Sequence, residues 1–286
     1  MLCFSKSLGE NNREKCSRIA GNAVFLGICT YAVFLVFGIS GVKAYIHSQT
    51  SDAVIIDMAV SYLRICTVMS LGIVMYMIYE KLLQSTGKTM LSTIAQISGA
   101  VVNVILDPIM IFGYFGFPEM GIEGAAYATV IGQFVSFILD AVFHYRYNSS
   151  EMNTDLKYIK PDLSIIKEIF QVGIPAIIMQ ALMSFMTYGV NIIFVQVSSS
   201  AVTAYGVYYK IQQFVFFAAF GMNNAMIPVI AFNYGKNDSQ RIHDGIKYGM
   251  IYTLIIMLIG MAGLQIFAEQ ITSVFSVSAE TLSLIH

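Results

Sequence analysis

Apolar segments long enough to cross a bilayer follow one another along nearly the whole chain, and this pattern restricts the possible folds most strongly. A hydrocarbon core of about 30 Å requires roughly 20 apolar residues in a helix. The pattern predicts an all-α polytopic membrane protein. Seven full segments meet that length, at about 19–40, 58–80, 90–113, 121–145, 168–197, 202–232 and 247–267, and an eighth begins near Ala279.

The composition excludes other classes of protein. Apolar residues make up 57% and charged residues 12% of the 286 positions, and the mean hydropathy is +0.69. A water-soluble body of this size cannot bury so much apolar surface. With 16 Lys and Arg against 17 Asp and Glu, no basic field indicates a nucleic-acid partner. The four cysteines lack the spacing of a metal site or a disulfide framework, and the sequence predicts neither an enzyme nor a cofactor.

Basic residues are concentrated in alternate connections between the apolar segments. The connections 1–18, 81–90, 146–167 and 235–247 hold 13 of the 16 Lys and Arg residues. The remaining three are Lys43, in another connection, and Arg64 and Lys210, inside predicted spans. Because basic residues mark the cytoplasmic side of a membrane protein, we expect the start of this chain to lie in the cytoplasm.

A short internal repeat indicates two parallel halves. Gly9 and Asn11 correspond to Gly235 and Asn237 at an offset of 226 residues, and each pair precedes an apolar segment. The stretches 51–55 and 278–282 also correspond, at an offset of 227. Two matches at nearly one offset favour a duplicated helical unit.

The repeat also predicts how the chain is divided. We expect a first group of four spans over 1–147, a cytoplasmic linker over 148–166, and a second group over 167–286 with three spans and the start of a fourth. Matching the halves leaves about two helices unaccounted for before Met1 and most of three beyond His286. Twelve helices, six in each half, are therefore the expected whole.

Asp107 is the leading candidate for a functional charge, because charges inside spans are costly and need a physical reason. Asn103 lies four residues earlier on the same helix face. Pro108 removes a backbone donor and leaves a carbonyl oxygen free. The Asp107 carboxyl, the Asn103 amide and the free carbonyl could together hold Na⁺ or a proton. The alternative is that Asp107 is solvated by water near the end of its helix. Thr129, in a stretch of small residues, serves either cation contact or close helix packing.

Several polar and soft side chains of the second group are candidates for a substrate path. Buried amides form interhelical hydrogen bonds or line such a path, and methionine or aromatic stripes suit promiscuous binding as well as ordinary helix packing. Lys210 follows several tyrosines inside a predicted span, where a cation is not expected to face lipid, so it is a candidate to face a cavity. The candidates are Gln180, Met183, Asn191, Lys210, Phe214 and Asn223.

Three motifs of the first half, over 84–89, 103–108 and 121–129, run in the order and spacing of the multidrug and toxic compound extrusion (MATE) family. The second half, with 204–212 and 232–235, resembles the MepA-like branch of that family. The resemblance implies twelve helices in two lobes and alternating access. It also implies export of drugs and other cationic amphiphiles against Na⁺ or H⁺, by a full-length monomer in the plasma membrane of a prokaryote.

The resemblance also implies a cation site. The family site uses an Asp on the first helix, a Tyr, an Asn and Asp four residues apart, and a Thr. Asn103 and Asp107 match the pair, Thr129 matches the Thr, and Tyr62 fits the tyrosine position by its distance from Asp107. The first-helix Asp would precede Met1. Some relatives carry a Glu on the seventh helix, whereas the corresponding region here, 180–183, has no acid.

Three other functions are less favoured by the sequence. A lipid-linked-precursor flippase of related architecture should present several cationic residues to its cavity, and only Arg64 and Lys210 lie within spans. An intramembrane enzyme needs a catalytic pair near the membrane midplane, and a receptor should lack the 226-residue repeat.

Overall fold

The computed structural model describes residues 1–49, 52–152, 156–197 and 199–266, and these ranges contain helices and turns but no strand. The predicted all-α fold class is therefore confirmed. The helices are α1 (Leu2–Gly9), α2 (Arg13–Ser40), α3 (Val42–Gln49), α4 (Ala53–Val68), α5 (Leu71–Ser85), α6 (Thr89–Phe112), α7 (Gly121–Tyr147), α8 (Leu163–Val197), α9 (Ser199–Gly235) and α10 (Ser239–Ile266).

Six of the described helices, α2, α6, α7, α8, α9 and α10, contain stretches long and apolar enough to cross a membrane. The pair α4 and α5 would make a seventh span if taken together. These elements match the seven predicted segments in order. The eighth segment, near Ala279, lies outside the described residues.

The predicted span over 58–80 is bent in the structure, because α4 and α5 meet at an angle of 49°. At the end of α4 the Thr67 hydroxyl donates back to the carbonyls of Leu63 and Arg64, at 2.7 and 3.2 Å. Such back-bonding competes with the helical ladder and bends helices. A Cβ on Gly38 would lie only 2.6 Å from the Thr67 hydroxyl, so α2 passes close to the bend.

The amino-terminal stretch is a packed helix rather than part of the predicted connection 1–18. Phe4 is 1% exposed, and α1 packs against α2 and α5. The Ser5 hydroxyl donates to the Ser85 carbonyl at 3.4 Å. Eight residues are too few for a spanning signal, so hydropathy alone gave no reason to expect this burial.

The repeated sequence is also a repeated turn. Asn11 and Asn237 both adopt a left-handed conformation, with φ of 57° and 56°, which asparagine tolerates better than most residues. Each turn is followed by an N-cap: Asn12 accepts from the Lys15 amide at 3.0 Å, and Asp238 accepts from the Arg241 amide at 3.1 Å. The offset of 226 residues therefore relates equivalent turns that start α2 and α10.

The structure divides into two compact units, Met1–Ile166 and Lys167–His286. In the first unit α7 packs against α4, α5 and α6, and α2 packs against α4 and α5. In the second unit α9 packs against α10. A Cβ on Gly249 of α10 would lie 2.0 Å from the Met226 sulfur of α9. The lack of a side chain at Gly249 therefore lets Met226 pack against the backbone of α10.

The segment expected to be a linker is packed onto α2. A Cβ on Gly21 would lie 2.0 Å from the Tyr158 carbonyl oxygen, so only glycine admits this backbone. The Asp162 amide donates to the buried side chain of Asn22 at 2.8 Å, and the Asp162 carboxylate pairs with Arg18. The same carboxylate accepts from the Ser164 amide at 3.0 Å and so caps α8. Asp162 thereby joins α2 to the start of α8.

We expect this connection to loosen in acid. Hydrogen bonds from Ser164, assisted by Arg18, hold the pKa of Asp162 below its usual value. A depressed carboxyl pKa contributes stability that is present above the unfolded-state pKa and is lost as pH falls through the folded-state pKa. Deuterium uptake over 156–166, corrected for intrinsic exchange, should therefore rise on acidification in the wild-type chain. It should already be raised at neutral pH in Asp162→Asn.

The exposed acid Glu119 provides a control, because Glu119→Gln should leave that pH dependence unchanged. Uptake over 156–166 that is independent of pH in the wild-type chain would contradict the role of Asp162.

Candidate functional site

Small residues bring α6 and α7 into backbone contact. A Cβ on Gly99 would lie 2.5 Å from the Gly132 carbonyl oxygen, and one on Gly124 would lie 2.4 Å from the Met110 carbonyl oxygen. The Ser136 hydroxyl donates to the Ala95 carbonyl at 3.1 Å across the interface. In an apolar medium, small residues allow this close approach and the resulting van der Waals contact holds the helices together.

This contact brings three predicted site residues together. The Asn103 amide nitrogen donates to Asp107 Oδ1 at 3.3 Å and to Thr129 Oγ1 at 3.5 Å. The Thr129 hydroxyl in turn donates to the Ala125 carbonyl at 2.9 Å. All three side chains are half-buried. We call Asn103, Asp107 and Thr129 the acid–amide group.

Proline adds a backbone oxygen beside the acid–amide group. Pro108 lies inside α6, and the helix continues to Phe112. Proline has no amide hydrogen, so the Val104 carbonyl, four residues earlier, lacks its helical donor. Carboxylate, amide, hydroxyl and carbonyl oxygens are the ligands that hard cations take in proteins. The arrangement can therefore bind a proton at Asp107 or a small cation among these oxygens.

Tyr62, the fourth predicted residue of the cation site, belongs to a neighbouring helix. It is half-buried on α4, which packs against α7. Within the described ranges, no hydrogen bond joins Tyr62 to the acid–amide group. Its assignment to the site thus remains a prediction.

The substrate-path candidates lie on α8 and α9 of the second unit. Gln180 and Met183 are exposed on α8, and Lys210 and Asn223 are exposed on α9. The side chains of Asn191 and Phe214 lie outside the described part of the chain. No contact in the described part shows these residues converging, so a path along them stays a prediction.

A second polar cluster, near the end of α7, was missed by the sequence analysis. Asp140 is fully buried, and one turn later the His144 ring nitrogen lies 3.1 Å from the Asn148 amide. Asn148 also accepts from Thr86 at 2.9 Å and from Lys88 at 2.8 Å. An acid inside the apolar segment 121–145 was the signal that could have revealed it.

An all-helical bundle with several apolar spans and polar groups enclosed between them defines the chain as a polytopic membrane protein. The chain belongs to the MatE family, whose model matches residues 2–109 and 175–286. The relatives that follow carry the name of multidrug export proteins, which are transporters rather than enzymes.

Curated relatives are similar along almost all of this chain. The multidrug export protein MepA of Staphylococcus saprophyticus is 24% identical over 273 residues, which cover 96% of this chain and 59% of the relative. A protein with the same name from Staphylococcus aureus is 27% identical over 290 aligned positions, with 98% and 59% covered. The chain thus spans about three fifths of the length of these relatives.

Solved structures share the fold. A MOP superfamily transporter from Pyrococcus furiosus superposes with a TM-score of 0.91 at 20% identity, covering 99% of this chain and 63% of that one. The outward-facing structure of a multidrug resistance MATE family transporter gives a TM-score of 0.91 at 21% identity, with the same coverage. At this level of identity the likeness concerns the fold alone.

Proposed function

We propose that this chain is part of a cation-coupled antiporter that exports drugs and other amphiphilic, mostly cationic molecules by alternating access. The observation that carries the proposal is the acid–amide group, in which Asn103 bonds both to Asp107 on its own helix and to Thr129 on α7. An ionisable residue between closely packed apolar helices is a candidate for ion coupling. The similarity to multidrug export proteins supports drugs as the substrate class.

Asp107 would act as the coupling carboxylate. A proton or Na⁺ at Asp107 would neutralise it and weaken the charge-assisted bond from Asn103. Because Pro108 already breaks the hydrogen-bond ladder of α6 at this point, that change would alter the bend of the helix. Cation and drug would then compete through their different affinities for two conformations. Either ion satisfies this mechanism.

The location and assembly of the protein follow from the same proposal. The concentration of basic residues in alternate connections supports a cytoplasmic start of the chain. The bacterial relatives and the exposed apolar helices support a multi-pass protein of a prokaryotic plasma membrane. We propose a monomer as the working unit of the full-length protein.

A flippase for lipid-linked precursors has less support. Such a substrate carries pyrophosphate, which is bound by clusters of Arg and Lys. Within the predicted spans the chain has only Arg64 and Lys210. They lie on α4 and α9, which belong to different units.

Ethidium accumulation in an exporter-deficient bacterium tests the proposal. Cells expressing the full-length protein should accumulate less ethidium than cells carrying an empty vector, and dissipating the coupling gradient should remove the difference. A protonophore in sodium-free medium and a sodium ionophore at a clamped proton gradient distinguish H⁺ from Na⁺. Export that persists when both gradients are dissipated would contradict ion coupling.

Thr129→Val tests the hydroxyl of the acid–amide group, because valine keeps the shape and removes the oxygen. Losing one hydrogen-bonding partner costs about 1 kcal/mol, so we expect the cation concentration for half-maximal export to rise roughly fivefold. Thr129→Ser retains the hydroxyl and should behave nearly as the wild type. Equal cation dependence in the valine variant and the wild type would remove Thr129 from the site.

A further inference from the structure

A buried acid lies near the end of α7, far from the acid–amide group. Asp140 is 0% exposed, and neither of its carboxylate oxygens has a hydrogen-bond partner among the described residues. It follows Thr129 by 11 residues on the same helix, a distance of about 16 Å along the axis. Asp140 therefore belongs to a different site.

The groups around Asp140 come mainly from α5. Tyr76 and Glu80 lie close enough to Asp140 to interact with it electrostatically. Also on α5, the Tyr79 ring packs against His144, with ring centroids 5.2 Å apart. His144 lies one turn beyond Asp140 on α7 and is engaged with Asn148.

The other two helices that pack on α7, α4 and α6, place no cationic side chain beside Asp140. The ionisable residue within α6 is Asp107, at the far end of the contact, and Lys88 before α6 bonds to Asn148. The ionisable residues of α4 all precede the bend at Met69, whereas Tyr76 and Glu80 follow it. Those α4 residues are Asp57, Tyr62, Arg64 and Cys66.

Glu80 carries its own negative charge. Gln84 donates to Glu80 Oε1 at 2.8 Å, and the Lys81 ammonium lies 3.4 Å from Glu80 Oε2. Both oxygens therefore have partners that stabilise the ionised form. The charge of Glu80 faces a second carboxyl that has no such partners.

We propose that Asp140 is a proton-binding site, distinct from Asp107, at which the folded chain carries a proton. A buried carboxylate without donors, beside a second negative charge, is strongly disfavoured, and such a group takes up a proton instead. A protonated, neutral Asp140 is compatible with the complete burial of its side chain.

A proton fits the position better than a metal ion does. Metal ions such as Na⁺ need several oxygen ligands to replace their water, and both oxygens of Glu80 are already engaged. Within the described ranges, no group of three or more His, Cys, Asp or Glu side chains is placed to hold a metal ion. Asp140 is thus a site for a single proton.

The proton makes the contact between α5 and α7 sensitive to hydration. Water stabilises the carboxylate, so any opening between these helices favours proton release, and closure favours uptake. The first unit consequently has a proton-dependent contact on the helix that also carries Thr129.

Infrared spectroscopy of the full chain in lipid nanodiscs tests the proposal without a transport assay. The wild-type spectrum at neutral pH should contain the carbonyl band of a protonated carboxyl, shifted in deuterium oxide. Asp107→Asn, which removes any band from the coupling acid, should retain a carbonyl band, and adding Asp140→Asn to that variant should remove it. Glu80→Gln removes the neighbouring negative charge, so the band should disappear at a lower pH than in the wild type.

The variants and a sodium titration make the proposal falsifiable. Asn imitates the neutral acid, so Asp140→Asn should fold and resist heat at alkaline pH at least as well as the wild type. A variant that fails to fold at a pH where the wild type folds would overturn the proposal. In the Asp107→Asn background, a band that survives Asp140→Asn, or that is lost when Na⁺ is added at constant pH, would also overturn it.

Discussion

Asp107→Asn in the full-length protein is expected to reduce export of a fluorescent cation to the level of cells without the protein, while expression and thermal stability stay near those of the wild type. Asn has nearly the shape of Asp and can still bond to the Asn103 amide, so the packing of α6 against α7 is preserved. It cannot take up a proton or supply a charge to Na⁺. The coupling step would therefore be lost, and transport would stop even where drug still binds.

The exposed acid Asp57 on α4 is a matched control for this experiment. Asp57→Asn removes the same charge without touching the acid–amide group, and its export should equal that of the wild type. Ethidium efflux and drug resistance in an exporter-deficient host measure both variants. Normal resistance with Asp107→Asn would show that coupling resides elsewhere.

Gly99→Val is expected to cause a large loss of stability in the first unit. A Cβ at this position would lie 1.9 Å from the Ser136 hydroxyl and 2.5 Å from the Gly132 carbonyl oxygen. The hydroxyl can rotate, but the carbonyl belongs to the backbone of α7, so the helices must separate. Overpacking typically costs about 1–3 kcal/mol, and the backbone contact places this case at the upper end.

Separating α6 from α7 should also lengthen the 3.5 Å contact between Asn103 and Thr129, so cation dependence should weaken along with thermal stability. Gly173→Val on α8 is the control, since a Cβ on Gly173 would meet no neighbouring atom of the described residues within 4 Å. We expect this control to unfold close to the wild-type temperature in nanodiscs. Equal stability of the two valine variants would contradict backbone contact at Gly99.

The sequence determined which segments are helices and how the turns between them recur. Burying an apolar segment in lipid is a local property of about 20 consecutive residues, so the helices α2, α6 and α7 were predictable from hydropathy. The equivalent turns at Asn11 and Asn237 were predictable because left-handed conformations favour a few residue types. The i, i+4 spacing likewise placed Asn103 and Asp107 on one face.

The tertiary structure decided what the helices bury against one another. The bend after Thr67 and the burial of α1 depend on neighbours distant in sequence, and hydropathy carries no information about those neighbours. The burial of Asp140 depends on the packing of α5 against α7, whereas the sequence shows only an acid in an apolar segment. Thr129 reaches Asn103 because Gly99 and Gly132 let two backbones touch, a contact that depends on how two helices pack rather than on the spacing within either one.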